Sequence, residues 1–360
     1  MNPFFPVNLP APTAVYLALL ILTWAMHYVL VSTVVAGSAY LALNEIFRRG
    51  DRALADPIAR ICRDWMPAAL GVAITAGVAP LLVAQVIYQI ESYTAHLLLW
   101  RRAALVLPAL IAAFYLFYLQ KSERFKSLNR AARVGVAVVA FLCVAGVGRF
   151  WAQVHVLTLS SAESLSLNLD AASFLDRTAL VRFAVFGAAT VLPWSAIVRA
   201  KLGPQLLSNT ETAANHRCLF WIMCLGWAGV ALIFAGASAW LRNEPQLFQA
   251  LTSRASGPCL AASAAGMLIF PLTLRRGRTR KSERLCCSIQ VVAVILLAVG
   301  LAGLRESVRA EFVLRPELLS RHAELAQKGG WAVFAVFAAV NAACILAAIQ
   351  IARSQRERQE

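Results

Sequence analysis

Charge is scarce in this sequence and acid scarcer still: 14% of its 360 residues are charged, and 18 Asp and Glu stand against 34 Lys and Arg. Soluble domains carry about a quarter charged residues, so this composition excludes an ordinary water-soluble fold. Missing too are a Walker A loop, a GxSxG elbow, an HExxH pair and a dinucleotide fingerprint, which removes support for ATP-driven transport, serine hydrolysis and zincin chemistry. There is no CxxCH for covalent haem and no spaced CxxC pair for zinc or an iron–sulfur cluster. Of the eight cysteines only Cys259 falls near the expected oxidising side, which argues against a disulfide framework. Internal repeats, low-complexity tracts and extramembrane segments long enough to bury a core are absent as well.

What fills the sequence is apolar: 60% of residues are hydrophobic and the mean hydropathy is +0.66. Runs long enough to cross a hydrocarbon layer of about 30 Å lie near 13–44, 66–90, 97–119, 134–157, 178–198, 217–241, 258–274, 285–303 and 331–352. The fold expected is therefore an all-α polytopic transmembrane bundle of about nine helices. The N-terminal stretch MNPFFPVNLPAP lacks a positive n-region, and the run after it exceeds a signal-peptide core, so it reads as a retained first helix.

Alternate loops divide the basic residues unevenly, 22 on one side and 12 on the other. Lys and Arg are held on the cytoplasmic side during insertion, which puts the N-terminus out and the C-terminus in, in a bacterial inner membrane. Trp65, Trp100, Trp151, Trp221, Trp240 and Trp331 sit near expected helix ends, where an amphipathic ring prefers the headgroup layer. The net charge of +16 is accounted for by topology, and membrane lipid rather than nucleic acid is the partner it implies.

Ionisable groups at bilayer depth are costly and mark function. Here they gather toward the outer leaflet of the first five expected helices: His27, then Gln85, Gln89 and Glu91, His96 with Arg101 and Arg102, Arg149 with Gln153 and His155, and Arg182. The pattern suggests a five-helix unit over 1–200 with an outward-facing polar site, and a four-helix unit over 201–360. His27 is the deepest, and Val31, Val34 and Ser38 share its helical face. That smooth face suits a haem macrocycle with an imidazole on its iron; it equally suits a histidine bonded to a neighbouring helix through small residues. His155 is a candidate second metal ligand, or an interfacial histidine. Arg149 and Arg182 are candidates for an anion, for propionates, or for an ion pair with Glu91.

The run LILTWAMHYVLVSTVVAGSAYLALNEI resembles the first helix of cytochrome bd-type quinol oxidase subunit I and of bacterial cytochrome-like membrane proteins related to it. GVAPLLVAQVIYQIESYTAHLLLW, LVLPALIAAFYLFYL and VHVLTLS with SLNLDAASFLDRTALVRF are similar to the helices that follow, so the resemblance covers about residues 13–200. It implies a haem b-containing, quinone-linked electron-transfer subunit of a respiratory complex, with other respiratory subunits or a c-type cytochrome as partners. By the resemblance His27 is a haem ligand and Glu91 an acidic helix end near the haem. Arg182 stands where such relatives are expected to carry a histidine, and no methionine ligand or long quinol loop is matched. Two other readings follow from the same residues: a non-catalytic assembly subunit with a degenerate haem site, and a small-anion transporter using Arg149 and Arg182.

Overall fold

The computed structural model describes residues 11–48, 51–159, 177–206, 256–273 and 280–313, with isolated positions between 220 and 252 and between 320 and 350. Its elements are α1 (Ala11–Phe47), α2 (Asp51–Ala55), α3 (Pro57–Ile87), α4 (Gln89–Leu98), α5 (Trp100–Lys121), α6 (Glu123–Ser127), α7 (Arg130–Leu157), α8 (Arg177–Ala189), α9 (Val191–Leu206), α10 (Gly257–Leu272) and α11 (Arg280–Val313). Six helical segments are long and apolar enough to cross a membrane: Val15–Phe47, Pro57–Ile87, Trp100–Lys121, Arg130–Leu157, Ala179–Leu202 and Arg284–Ala310, with Gly257–Phe270 as a shorter apolar helix. The protein is thus an all-α bundle of multi-pass character. The expected runs at 217–241 and 331–352 lie largely outside the described residues.

Local chemistry sets several of the helix boundaries. Asp56 caps α3 by accepting from the backbone N–H of Ile58 and Ala59, and Pro57 occupies the first turn, where no hydrogen bond is lost. Asn129 caps α7 by accepting from Ala132 N. The expected run at 178–198 is interrupted at Thr190, between α8 and α9. Pro193 explains the break, because it has no N–H to give the carbonyl of Ala189 four residues back. Tyr28 Oη donates to that carbonyl instead, at 2.8 Å.

Two ends can be distinguished. At one, Leu17 and Leu20 of α1 pack with Ile87 and Tyr88 after α3 and with Ala310 and Val313 of α11. The start of α5 and the ends of α7 and α11 join them, through Arg102 to Gln153 and through His155 to Arg309. At the other end the basic residues are anchored. Buried Glu45 lies 3.3 Å from Arg133 and 3.7 Å from Arg63, while Asp56 takes Arg48 at 2.6 Å and the Tyr40 hydroxyl at 2.7 Å. Arg63 also donates to the Ala53 carbonyl, and Arg130 to that of Ile46. Between the ends Val34, Met66, Phe117, Val144 and Trp194 form the apolar core of α1, α3, α5, α7 and α9. Leu105, Tyr115 and Leu268 point outward in exposed positions suited to lipid.

Small residues let α10 and α11 approach closely, as membrane helices need when no hydrophobic effect drives them together. A Cβ on Gly266 would stand 2.6 Å from the Ala293 carbonyl oxygen, and one on Gly300 would stand 2.6 Å from Ser263 N. Gly300→Leu is therefore expected to part these helices and lower stability by about 1–3 kcal/mol. Gly71→Ala, at a glycine whose added Cβ meets nothing within 4 Å, should leave stability equal or raised. Thermal unfolding in detergent micelles checks both.

Candidate functional site

Three charged residues of α11 build the centre of the polar end. Arg305 Nε lies 3.7 Å from Glu306 Oε1, and Arg309 Nη1 lies 3.5 Å from Glu306 Oε2. Glu306 is 2% exposed and Arg309 3%. Each guanidinium also rests on an aromatic ring, Arg305 over Trp24 at 4.7 Å and Arg309 over Tyr88 at 4.8 Å, contacts worth about 0.5–2 kcal/mol each as water is excluded. Sequence reasoning missed this group because it ended the apolar run near 303. The signal was present: the spacing R-E-x-x-R continues the helical period and puts Arg309 one turn from both Arg305 and Glu306.

His155 of α7 completes the group. Arg309 Nη2 donates to its Nδ1 at 2.7 Å, and Arg305 Nε lies 3.4 Å from the same nitrogen. Guanidinium groups only donate, so Nδ1 holds the lone pair, Nε2 carries the proton, and the ring is neutral. Arg182 of α8 is close enough to act electrostatically on His155 and on Arg305. Arg149, 4% exposed, lies on α7, and Arg102 donates to Gln153, also buried there. Arg102 thus ties α5 to α7 rather than reaching for water. His96 bonds the Ser92 carbonyl at 2.7 Å and meets Trp151 edge-on.

His27 faces α3 instead. Its Nδ1 lies 3.0 Å from the Ala73 carbonyl oxygen, and since that oxygen only accepts, Nδ1 carries the proton. Gly77 makes the approach possible, because a Cβ there would stand 2.7 Å from His27 Cε1. Arg305 is near enough to act electrostatically on His27, so His27 and His155 flank the same arginine. Glu91 begins α4 with its Oε2 buried and without a hydrogen bond. The acid that closes on Arg305 and Arg309 is Glu306. Tyr88, just beyond α3, is fully buried, and burial first, then Glu306, holds its phenol well above the ordinary range, so it remains a hydrogen-bond donor.

The donor set can be tested against the haem that the resemblance implies. A metal-ligating histidine commonly gives its second N–H to a backbone carbonyl, and His27 does so, leaving Nε2 for an axial bond. His155 does not fit the second axial place, since its lone pair is taken by the arginines. Among the described residues no group of three or more His, Cys, Asp or Glu side chains is placed to hold a metal ion. No protein-family model matches the chain, and no curated protein sequence matches it significantly.

The shared carboxylate sets a stability prediction. Glu306→Ala leaves two buried guanidinium groups without an acid and is expected to cost about 3–5 kcal/mol. Adding Arg309→Leu should recover a substantial part. A double-mutant cycle by thermal unfolding in micelles measures this, and simple additivity would refute the shared-acid arrangement.

Proposed function

We propose that this chain is a haem b-containing, quinone-linked electron-transfer subunit of a bacterial respiratory complex. We further propose that it crosses the inner membrane nine times, with its N-terminus outside and its C-terminus inside. The observation that carries the reading is the His27–Ala73 hydrogen bond at 3.0 Å, which fixes the tautomer an axial ligand needs. In this reading His27, its ring seated against α3 by Gly77, would hold the haem through Nε2, Arg149 and Arg182 would neutralise its propionates, and Arg305 would add positive field beside His27. Haem b, when bound, supplies a reversible one-electron carrier.

A second reading is favoured by one specific observation. His155 is spent between Arg305 and Arg309, and Arg182 occupies the place where a ligating histidine is expected, so among the described residues no second ligand is evident. That pattern suits a non-catalytic assembly subunit in which arginines tie helices together around a lost cofactor.

Absorption spectra of detergent-purified protein, oxidised and then reduced with dithionite, separate the two. A reducible Soret and α-band is expected in the wild type, lost in His27→Ala and in Gly77→Val, where a branched side chain displaces the imidazole. A featureless spectrum from folded protein rejects the redox reading and leaves the assembly subunit. For the topology, a C-terminal green fluorescent fusion should fluoresce and a C-terminal alkaline phosphatase fusion should be inactive. The reverse pair of results would invert the bundle.

A further inference from the structure

At the end of the bundle opposite the Glu306 group, two lysines from different helices converge on one turn of α3. Lys121, the last residue of α5, donates through Nζ to the Asp64 carbonyl at 3.3 Å. Lys201, in the second half of α9, holds its Nζ over the Trp65 ring, 5.6 Å from the centroid. Both lysines are exposed and Trp65 is half-buried. Other bases of this end have acids: Arg48 pairs with Asp56, Lys126 with Glu123, and Arg63 and Arg133 with Glu45. Among the described residues neither Lys121 nor Lys201 forms an ion pair, although Asp64 is exposed on the turn they meet. An ammonium has three N–H donors. The Asp64 carbonyl takes one from Lys121, and a ring face leaves those of Lys201 open on its far side.

The surroundings select an occupant. Among the described residues this end also exposes Arg52, Arg60, Arg124 and Arg130, against the acids Asp64 and Glu123, so its field draws anions. Away from the lysines, toward the middle of the bundle, the surface turns apolar at once. On α3, Ala68 and Val72 follow Trp65 at helical spacing, and on α5 Tyr118 and Ile111 lead back from Lys121; all four are exposed. A soluble anion would use the charges and leave these stripes bare, whereas a lipid with a charged head uses both. Trp65 and Tyr118 stand where charge gives way to apolar surface, the level that amphipathic rings take in the headgroup layer. We propose that Lys121, Lys201 and Trp65 form a site for the headgroup of an anionic phospholipid. Its phosphate is received by the two ammonium groups, and its acyl chains lie along α3 and α5. The site requires only that the bundle spans a membrane, and it stands apart from the proposed redox role.

Native mass spectrometry of the full-length protein in detergent tests this, counting retained lipid as dioleoyl phosphatidylglycerol or dioleoyl phosphatidylcholine is titrated in. Saturable binding of phosphatidylglycerol is expected, tighter than that of phosphatidylcholine. Lys121→Gln and Lys201→Gln should each weaken it about fivefold, and the two together about twentyfold. Lys126→Gln removes the same charge from the same end, at a lysine paired with Glu123, and should shift binding by less than about twofold. Equal weakening by Lys126→Gln overturns the site and leaves a diffuse basic surface. Equal affinity of the wild type for the two lipids also overturns it, a result that needs no variant to fold. Glycerol phosphate, which carries the head without the chains, should fail to displace the lipid. Displacement at comparable concentration would make the occupant a soluble phosphate and reject the lipid.

Discussion

Arg305 and Arg309 both lean on Glu306, and an apolar bundle leaves little else to lean on. Inserting one arginine at the centre of a membrane helix costs about 2.5–3.5 kcal/mol even after relaxation, so a second guanidinium on the same face demands further partners. The chain supplies them from other helices: the lone pair of a neutral imidazole on α7, the Trp24 ring on α1 and the Tyr88 ring after α3. Each is a weaker partner than a carboxylate, and each binds a different helix to α11. The charge imbalance is thereby what gathers α1, α3, α7 and α11 at one end.

The opposite end holds the same motif with a different resolution. Glu45 is shared by Arg63 and Arg133 much as Glu306 is shared by Arg305 and Arg309. There, however, Asp56 stands nearby as a second acid, and Arg63 also finds the Ala53 carbonyl. Backbone and acid thereby fasten α1, α2 and α3 together. At the polar end aromatic faces take the place of carbonyls, and aromatic faces do not satisfy N–H groups. The two ends thus differ in their partners, carbonyls and a second acid at one and aromatic rings with an imidazole at the other, while the oxygens of Glu45 and Glu306 alike are held by ion pairs rather than by hydrogen bonds.

The apolar runs were plain in the sequence because hydrocarbon thickness imposes their length, and the nearness of His27, His155 and Arg182 to the same end of the bundle followed from counting positions along alternating helices. The polar content of α11 was hidden. Once hydropathy falls after Leu304 a length criterion ends the helix, although RESVRAEFV carries the period on and the structure keeps Arg280–Val313 helical. Buried ion pairing sustains a helix where hydropathy no longer does. Neither could spacing reveal that His155 would be spent on arginines, since its partners lie on α11, about 150 residues away in sequence. Gly77 was equally silent, because its meaning depends on a ring from α1 lying against it.

One turn of α1 connects these facts. Trp24, His27 and Tyr28 lie within it, and successive side chains on a helix point about 100° apart, so His27 and Tyr28 address different neighbours. His27 bonds the Ala73 carbonyl of α3, and Tyr28 bonds the Ala189 carbonyl, which Pro193 leaves without its helical donor. Two backbone carbonyls on two helices therefore fix the rotation of α1 about its own axis. Trp24 stacks on Tyr28 with ring planes 6° apart, and this rotation delivers its face to Arg305. A histidine seated by a glycine, a tyrosine seated by a proline and an arginine seated on a tryptophan become one rigid unit, and it is this unit that brings His27 beside the charges of α11.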